Sequence, residues 1–241
     1  MSRLRMRDVT RLFAGGAGVR EIDLVVEPGQ IHALVGLNGA GKTTIMRLAL
    51  GMLRPDAGEV AIDDEPLGRR APALWARVGH LVETPLAYGE LTGLGNLEIG
   101  ARLHGAGRRG SAIARAALAE FGLEAYRDVP VRRLSLGNRQ RVGIASALQH
   151  DPALAVLDEP TNALDPSGVI RVREALLRRA DAGAGLLISS HHLDEVARIA
   201  HRITVVNRGR IIGTLDPAGR DLERELFEAL HADDVATGAA A

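Results

Sequence analysis

Gly36-Leu37-Asn38-Gly39-Ala40-Gly41-Lys42-Thr43-Thr44 fits the spacing G-x-x-x-x-G-K-[ST], and Lys42 within it is the one lysine among 30 basic residues. Glycines at those positions let successive backbone N–H groups turn toward the α- and β-phosphates of a nucleotide, while the lysine ammonium reaches the β- and γ-phosphates. An ammonium is a compact charge on a flexible stem, whereas the guanidinium found at every other strongly basic position is a planar fork too broad for such a cradle. Thr43 offers its hydroxyl to Mg²⁺. Gly36, Asn38, Gly39, Ala40, Gly41, Lys42, Thr43 and Thr44 are thus the candidate phosphate-binding residues.

A second chemical feature is the apolar run 153–157 leading into Asp158-Glu159-Pro160. In parallel α/β sheets ligands bind at the carboxyl ends of the strands, so both carboxylates are expected to face the phosphate loop. Asp158 is placed to hold Mg²⁺ as the acidic partner of Thr43. Glu159 is placed to polarise the water that attacks a γ-phosphate. A strand ending in Asp-Glu-Pro is also an ordinary solvated turn, and only its combination with the loop gives it a chemical reading. Leu134-Ser135-Leu136-Gly137 precedes a helical stretch over 138–148. Ser135 and Gly137 could offer a hydroxyl and backbone N–H groups to an anion there; Ser135 could equally be a plain helix N-cap. Asp165, followed by Pro166, reads as an N-cap with proline at the first helical position.

These groups need a scaffold that brings them together. Ile31 to Val35 is a short apolar run of strand type before the loop, and 44–50 reads as a helix after it, which aims a helix N-terminus at the anion. Upstream, residues 4–26 alternate in patches, with Gly15-Gly16-Ala17-Gly18 and Pro28-Gly29 as turns, predicting a small antiparallel β layer. From 84 to 131 the pattern changes to helical pieces broken by Gly and Pro, including a helix over 111–121 with Ser111 as its N-cap. Strand and helix then alternate: strand 153–157, helix 167–180, strand 185–190, helix 194–200, strands 203–206 and 211–214, helix 221–230. Such alternation predicts an α/β fold with a parallel or mixed sheet and crossover helices. The expected organisation is one domain over 1–231, a smaller helical subdomain at about 84–150 inserted in its core, and a disordered tail over 232–241.

Composition bounds the function classes. A chain of 241 residues supports one compact core of this kind. Thirty acidic residues balance thirty basic ones, so no global field favours nucleic acid or an anionic membrane surface. Phe13, Trp75, Tyr88, Phe121, Tyr126 and Phe227 are too few aromatics for a base-stacking platform. The absence of cysteine excludes a disulfide framework and thiolate metal sites, and it suits a reducing compartment. No run approaches the roughly twenty apolar residues of a membrane span, and the charged segment 1–8 is unlike a secretion signal, so a cytoplasmic protein is expected.

Taken in order, the phosphate loop, Leu134-Ser135-Leu136-Gly137, Leu157-Asp158-Glu159-Pro160, Asn162-Ala163-Leu164-Asp165 and Ser189-Ser190-His191 closely resemble the motifs of the ATP-binding subunit of ABC transporters, over about residues 4–230. The resemblance implies a P-loop ATPase that binds ATP and Mg²⁺ and works as a head-to-tail dimer, taken to be a homodimer. Ser135 and Gly137 of one copy would contact the γ-phosphate held by Lys42 of the other. It implies that His191 contacts the γ-phosphate and orders the attacking water near Glu159; His192, one residue on, is expected to face elsewhere on a strand period. Asp165 would be a dimer contact as well as an N-cap. Phe13 resembles the aromatic that stacks on adenine, although a core phenylalanine is the other reading. The work would be coupled to a separate membrane permease, placing the chain at the inner face of the membrane, with the permease docking near 83–103. A non-transport ABC ATPase, such as an assembly factor, is the alternative. A GTPase would need an Asn-Lys-x-Asp motif, which a chain whose sole lysine is Lys42 cannot contain.

The chain also departs from that pattern. Glu83 stands where most relatives carry glutamine; it could still ligate Mg²⁺, but it adds negative charge beside Asp158 and Glu159 and predicts like-charge crowding. The segment Val82-Glu83-Thr84-Pro85, with Tyr88 and Leu91-Thr92, resembles the variant found in bacterial exporters of peptide antibiotics, notably bacitracin and lantibiotic self-immunity systems; a general drug exporter is the other reading. Leu37 and Asn138 replace the usual proline and glutamine without removing a phosphate-facing backbone group.

Overall fold

The computed structural model describes residues 1–67, 72–83 and 87–238. Thr84 and Pro85 of the variant segment, and the last three residues of the expected tail, lie outside them. Two sheets organise the chain. The first is antiparallel, in the order β2 (Gly18–Val26), β1 (Leu4–Leu12), β4 (Ala57–Ile62), β5 (Glu65–Pro66). The second follows the order β10 (Arg210–Leu215), β9 (Arg202–Asn207), β3 (Ile31–Val35), β8 (Gly185–Ser189), β7 (Leu154–Leu157), β6 (Val78–Leu81). Its strands are parallel except β10, which pairs antiparallel with β9 and makes the sheet mixed.

Strands β3, β7 and β8 are buried along their whole length, as near-continuous apolar runs must be when both faces of a sheet are covered. Their alternate residues feed two separate cores. Ala33, Val35, Ala155, Leu157, Leu186 and Ile188 pack against α5 (Leu136–Leu148) and α6 (Pro166–Asp181). Leu34, Leu154, Val156 and Leu187 face the other way, against α1 (Lys42–Ala49) and the antiparallel sheet. Helices α3 (Gly93–Leu103) and α4 (Gly110–Glu120) complete a helical block with α5, closed around the fully buried Phe121. Short α2 (Pro72–Trp75) and α7 (Leu193–Ala197) and the long α8 (Leu222–Ala236) make up the rest. Among the described residues no helix is long and apolar enough to cross a membrane.

Two local expectations fail. Ser111 does not cap α4: the 3₁₀ turn Gly107–Arg109 feeds straight into the helix, Arg109 occupies the cap position, and Ser111 lies inside the first turn. Helix α8 runs to Ala236, past the expected end at 230 and into the segment expected to be disordered. The Asn207 side-chain amide donates to Asp233 (2.8 Å) and Asp234 (3.1 Å), and Arg208 pairs with Asp234 at 3.2 Å, so the β9–β10 turn anchors that last stretch.

His32 sits inside β3 with both ring nitrogens engaged. Nδ1 donates to the Val25 carbonyl at 2.8 Å, which leaves Nε2 to accept from the Thr204 hydroxyl at 2.7 Å. Burial lowers its pKa from 6.5 to about 4, and burial together with the nearby His104 does the same to His150, whose ring stacks on His104 at 3.7 Å. Between those two values the unfolded chain takes up protons that the folded chain refuses, so stability is complete above the unfolded value and falls as the pH drops through the window. At about pH 5, His32 alone is expected to cost about 2 kcal/mol, with His150 adding to it. A denaturant midpoint unchanged between neutral pH and about pH 5 would contradict this linkage.

Candidate ATP-binding site

The loop leaving β3 is shaped by what surrounds it. Gly36 has φ 151°, and a Cβ there would meet the Val206 carbonyl oxygen at 2.1 Å. Gly41, at φ 109°, lies against Val19 and the Gly209 backbone, where a Cβ would approach to 3.0 and 3.2 Å. The loop is therefore pinned between β2 and the β9–β10 turn, and only glycine passes at either point. Helix α1 starts at Lys42 behind Gly41, with no side chain capping its first turn. Its N–H groups are thereby left for an anion, in the manner of a phosphate cradle.

Lys42 is buried, and its ammonium folds back over the loop, donating to the Gly36 carbonyl at 2.7 Å and the Leu37 carbonyl at 3.2 Å. Burial pushes its pKa down, while the Glu159 and Asp158 carboxylates push the other way. Thr43, the next residue of the same turn, donates its hydroxyl to Asp158 Oδ2 at 2.7 Å. This joins the end of β7 to the start of α1 across 115 residues of sequence.

Asp158 is itself buried, and its second oxygen, Oδ1, accepts from Ser189 Oγ at 2.5 Å. Glu159 follows with φ 48°, a left-handed conformation uncommon for a residue with a side chain. Its N–H donates to Ser189 Oγ at 2.8 Å, its carbonyl accepts from Gln140 Nε2 at 3.2 Å, and its carboxylate accepts from His191 Nδ1 at 2.7 Å. Lys42, Thr43, Asp158, Glu159 and His191 thus form one cluster at the carboxyl edge of the sheet. Strand β8 ends at Ser189, so no strand period separates the two histidines: the rings of His191 and His192 lie 3.9 Å apart, tilted side by side.

The Thr43 hydroxyl and the Asp158 carboxylate are a small donor set. That fits Mg²⁺, which keeps several waters and takes one or two protein oxygens together with substrate phosphates. Thr43 and Asp158 are the residues that would hold it.

The other candidates lie outside that cluster. Ser135 is exposed, and its hydroxyl accepts from the Asn138 N–H at 3.2 Å as the N-cap of α5. Gly137 packs so tightly on the segment ahead of α6 that a Cβ would come within 2.5 Å of the Ala163 carbonyl. Asp165 caps α6, accepting from Gly168 N–H at 3.0 Å and from the Ser167 hydroxyl at 2.9 Å. Gly137 thus packs two residues ahead of Asp165, and Ser135 lies two residues before Gly137. Phe13 is 38% exposed at the β1–β2 turn, with the Arg11 guanidinium 5.5 Å from its ring centre, so it is not a core residue. Glu83 is paired with Arg47 of α1 rather than with Thr43 or Asp158. That hydrogen bond holds its carboxyl below the usual carboxylate range, and Arg47 also interacts with Asp158, so the like-charge crowding expected at Glu83 does not appear in its titration.

Three contributors escaped the sequence reading: Ser189, Gln140 and Arg47. Ser189 appears there only as part of the motif that ends at His191, with no role of its own.

Comparison with known proteins agrees with this geometry. The family described as "ABC transporter" matches residues 19–162. The bacitracin transport ATP-binding protein of Enterococcus faecalis is 37% identical over 210 residues, spanning 87% of this chain and 68% of that protein. A ribose import ATP-binding protein of Burkholderia thailandensis is 36% identical over 226 residues, spanning 91% of this chain and 45% of that one. A solved ATP-binding subunit of an ABC transporter superposes over the whole of both chains with a TM-score of 0.83 at 26% identity. With the loop, the Asp158–Glu159 pair and the two-sheet architecture in place, the chain belongs to the ABC transporter family as its ATP-binding, ATP-hydrolysing domain.

Proposed function

We propose that this ATPase powers export of a peptide antibiotic or drug through a separate membrane permease, acting from the cytoplasmic face as a head-to-tail homodimer. The likeness to a bacitracin transport protein supports that branch. So does the variant segment at Glu83, although ribose import relatives match the same chain. A 410 Å³ cleft lined by Leu81, Tyr88, Ile99 and Leu103, with Tyr88 and Leu103 largely exposed, offers the permease an apolar seat. A seat of that kind fits an ATPase that works with a permease better than an assembly ATPase.

The observation that carries the proposed chemistry is the bridge from Thr43 to Asp158 beside the Glu159–His191 pair. In this reading Lys42 swings from the loop carbonyls to the β- and γ-phosphates, while the first-turn N–H groups of α1 bind the phosphate oxygens. Thr43 and Asp158 would hold Mg²⁺, which when bound would neutralise charge on the nucleotide phosphates. Glu159 orients the attacking water and accepts its proton. His191, donating through Nδ1, fixes the Glu159 carboxylate and turns its other edge toward the γ-phosphate. Phe13 stacks on the adenine. Ser135 and Gly137 come from the second copy, which explains why they lie outside the Lys42 cluster.

Mixing two inactive variants tests both the dimer and the export. Lys42→Ala and Ser135→Ala chains should each lose ATP turnover by about 100-fold or more. Mixed in equal amounts they should recover on the order of a quarter of the native rate, because a mixed pair rebuilds one intact composite site. Coexpressed with the permease, the mixture should restore resistance to the exported compound. Failure to recover turnover would place Ser135 in its own chain's site. Recovered turnover with unchanged susceptibility to every peptide antibiotic and drug tried would overturn export.

A further inference from the structure

We propose that Ser189 is a positioning residue for the hydrolytic step, fixing Asp158 and Glu159 in register through a single hydroxyl. The proposal rests on the roles assigned above to those two carboxylates. Ser189 is fully buried at the end of β8, the strand that lies between β7 and β3. A hydroxyl has one proton to donate and lone pairs to accept with, and a buried one must use them. The proton goes to Asp158 Oδ1 and a lone pair takes the Glu159 N–H, so one oxygen ties the side chain of one carboxylate to the backbone of the next.

The geometry makes that tie consequential. With Oδ1 occupied by Ser189, Asp158 presents Oδ2 to Thr43. Glu159 holds a left-handed backbone, which the chain relaxes unless its peptide groups are held. Ser189 holds the N–H and Gln140 holds the carbonyl from α5, the helix that Ser135 caps. Two residues past Ser189, His191 takes the Glu159 carboxylate. Removing the hydroxyl leaves a buried N–H without an acceptor and a buried carboxylate oxygen without a donor. Both losses fall on the atoms that set where the attacking water would stand.

Ser189→Ala, which adds no volume, should lower kcat for ATP by about 100-fold and raise KM for ATP with Mg²⁺ by about tenfold. Ser189→Thr, which restores the hydroxyl, should recover most of the rate. In a Glu159→Gln background the same alanine should lower the residual rate by less than about threefold, since a residue acting through Glu159 has little left to act on. Equilibrium binding in that background gives a readout apart from turnover. Affinity for ATP with Mg²⁺ should fall by about tenfold through misplacement of Asp158, and affinity for ATP in chelator should not change. Native turnover in Ser189→Ala alongside an inactive Glu159→Gln overturns the Ser189 role alone. Equal damage in both serine variants, with a matching drop in Tm, makes the role one of packing and also overturns it. Native turnover in Glu159→Gln removes the reading on which the proposal stands.

Discussion

Glu159→Gln is expected to bind ATP with native affinity and to turn it over about a thousandfold more slowly, accumulating as a closed dimer in ATP. The substitution isolates the carboxylate charge. Glutamine has the same length, its side-chain oxygen can still accept from His191 Nδ1, and the backbone bonds to Ser189 and Gln140 involve no side-chain atom of residue 159. Nothing that holds the left-handed conformation is lost. What disappears is the proton acceptor beside the attacking water, a role worth between about a hundredfold and ten-thousandfold. The cluster around Asp158 and Thr43 is untouched, so nucleotide binding should survive. Single-turnover hydrolysis and equilibrium ATP binding separate the two quantities, and size-exclusion chromatography in ATP reads the dimer. Hydrolysis within about fivefold of native would reassign the base. Weakened binding would mean that Glu159 holds the nucleotide rather than the water.

The phosphate loop could be read directly because its chemistry forces residue types at fixed short spacing, and Gly36 and Gly41 do occupy positions closed to any side chain. The pairing of Thr43 with Asp158 followed from one topological rule, that strands of a parallel sheet end on a common edge. The buried runs of β3, β7 and β8 made those strands recognisable. Contacts between side chains of common type left no such mark. A serine at the end of a strand and a glutamine inside a helix look alike whether or not they hold Glu159. Arg47 is one arginine among many, and only the placement of α1 beside the end of β6 turns it into the counterion of Glu83. The end of α8 is illegible for a related reason. Proximity to the chain terminus suggested disorder, yet Asn207 and Arg208, more than twenty residues away, reach Asp233 and Asp234. The facing of the two histidines turns on a boundary: a strand period does not reach residues beyond the end of β8.

Lys42→Arg keeps the charge and is expected to fail all the same, losing about 100-fold or more in kcat/KM for ATP. The ammonium occupies the mouth of the loop between two carbonyl oxygens, at 2.7 and 3.2 Å, on a side chain that is 7% exposed. A guanidinium needs room for a planar fork of three nitrogens, and the loop cannot widen to give it. Gly36 is backed by Val206, and Gly41 by Val19 and Gly209, all within the approach distance of a single carbon. The arginine must therefore leave the cradle or push the first-turn N–H groups of α1 away from the phosphates. Either movement removes the alignment that the loop supplies. Lys42→Ala provides the comparison, since it loses charge and keeps the space. If shape is what excludes arginine, both variants fall to a similar level, and adding salt, which screens charge, changes their ratio little. If Lys42→Arg turns ATP over at the native rate, charge alone suffices at this position, and the solitary lysine of an arginine-rich chain loses its physical explanation.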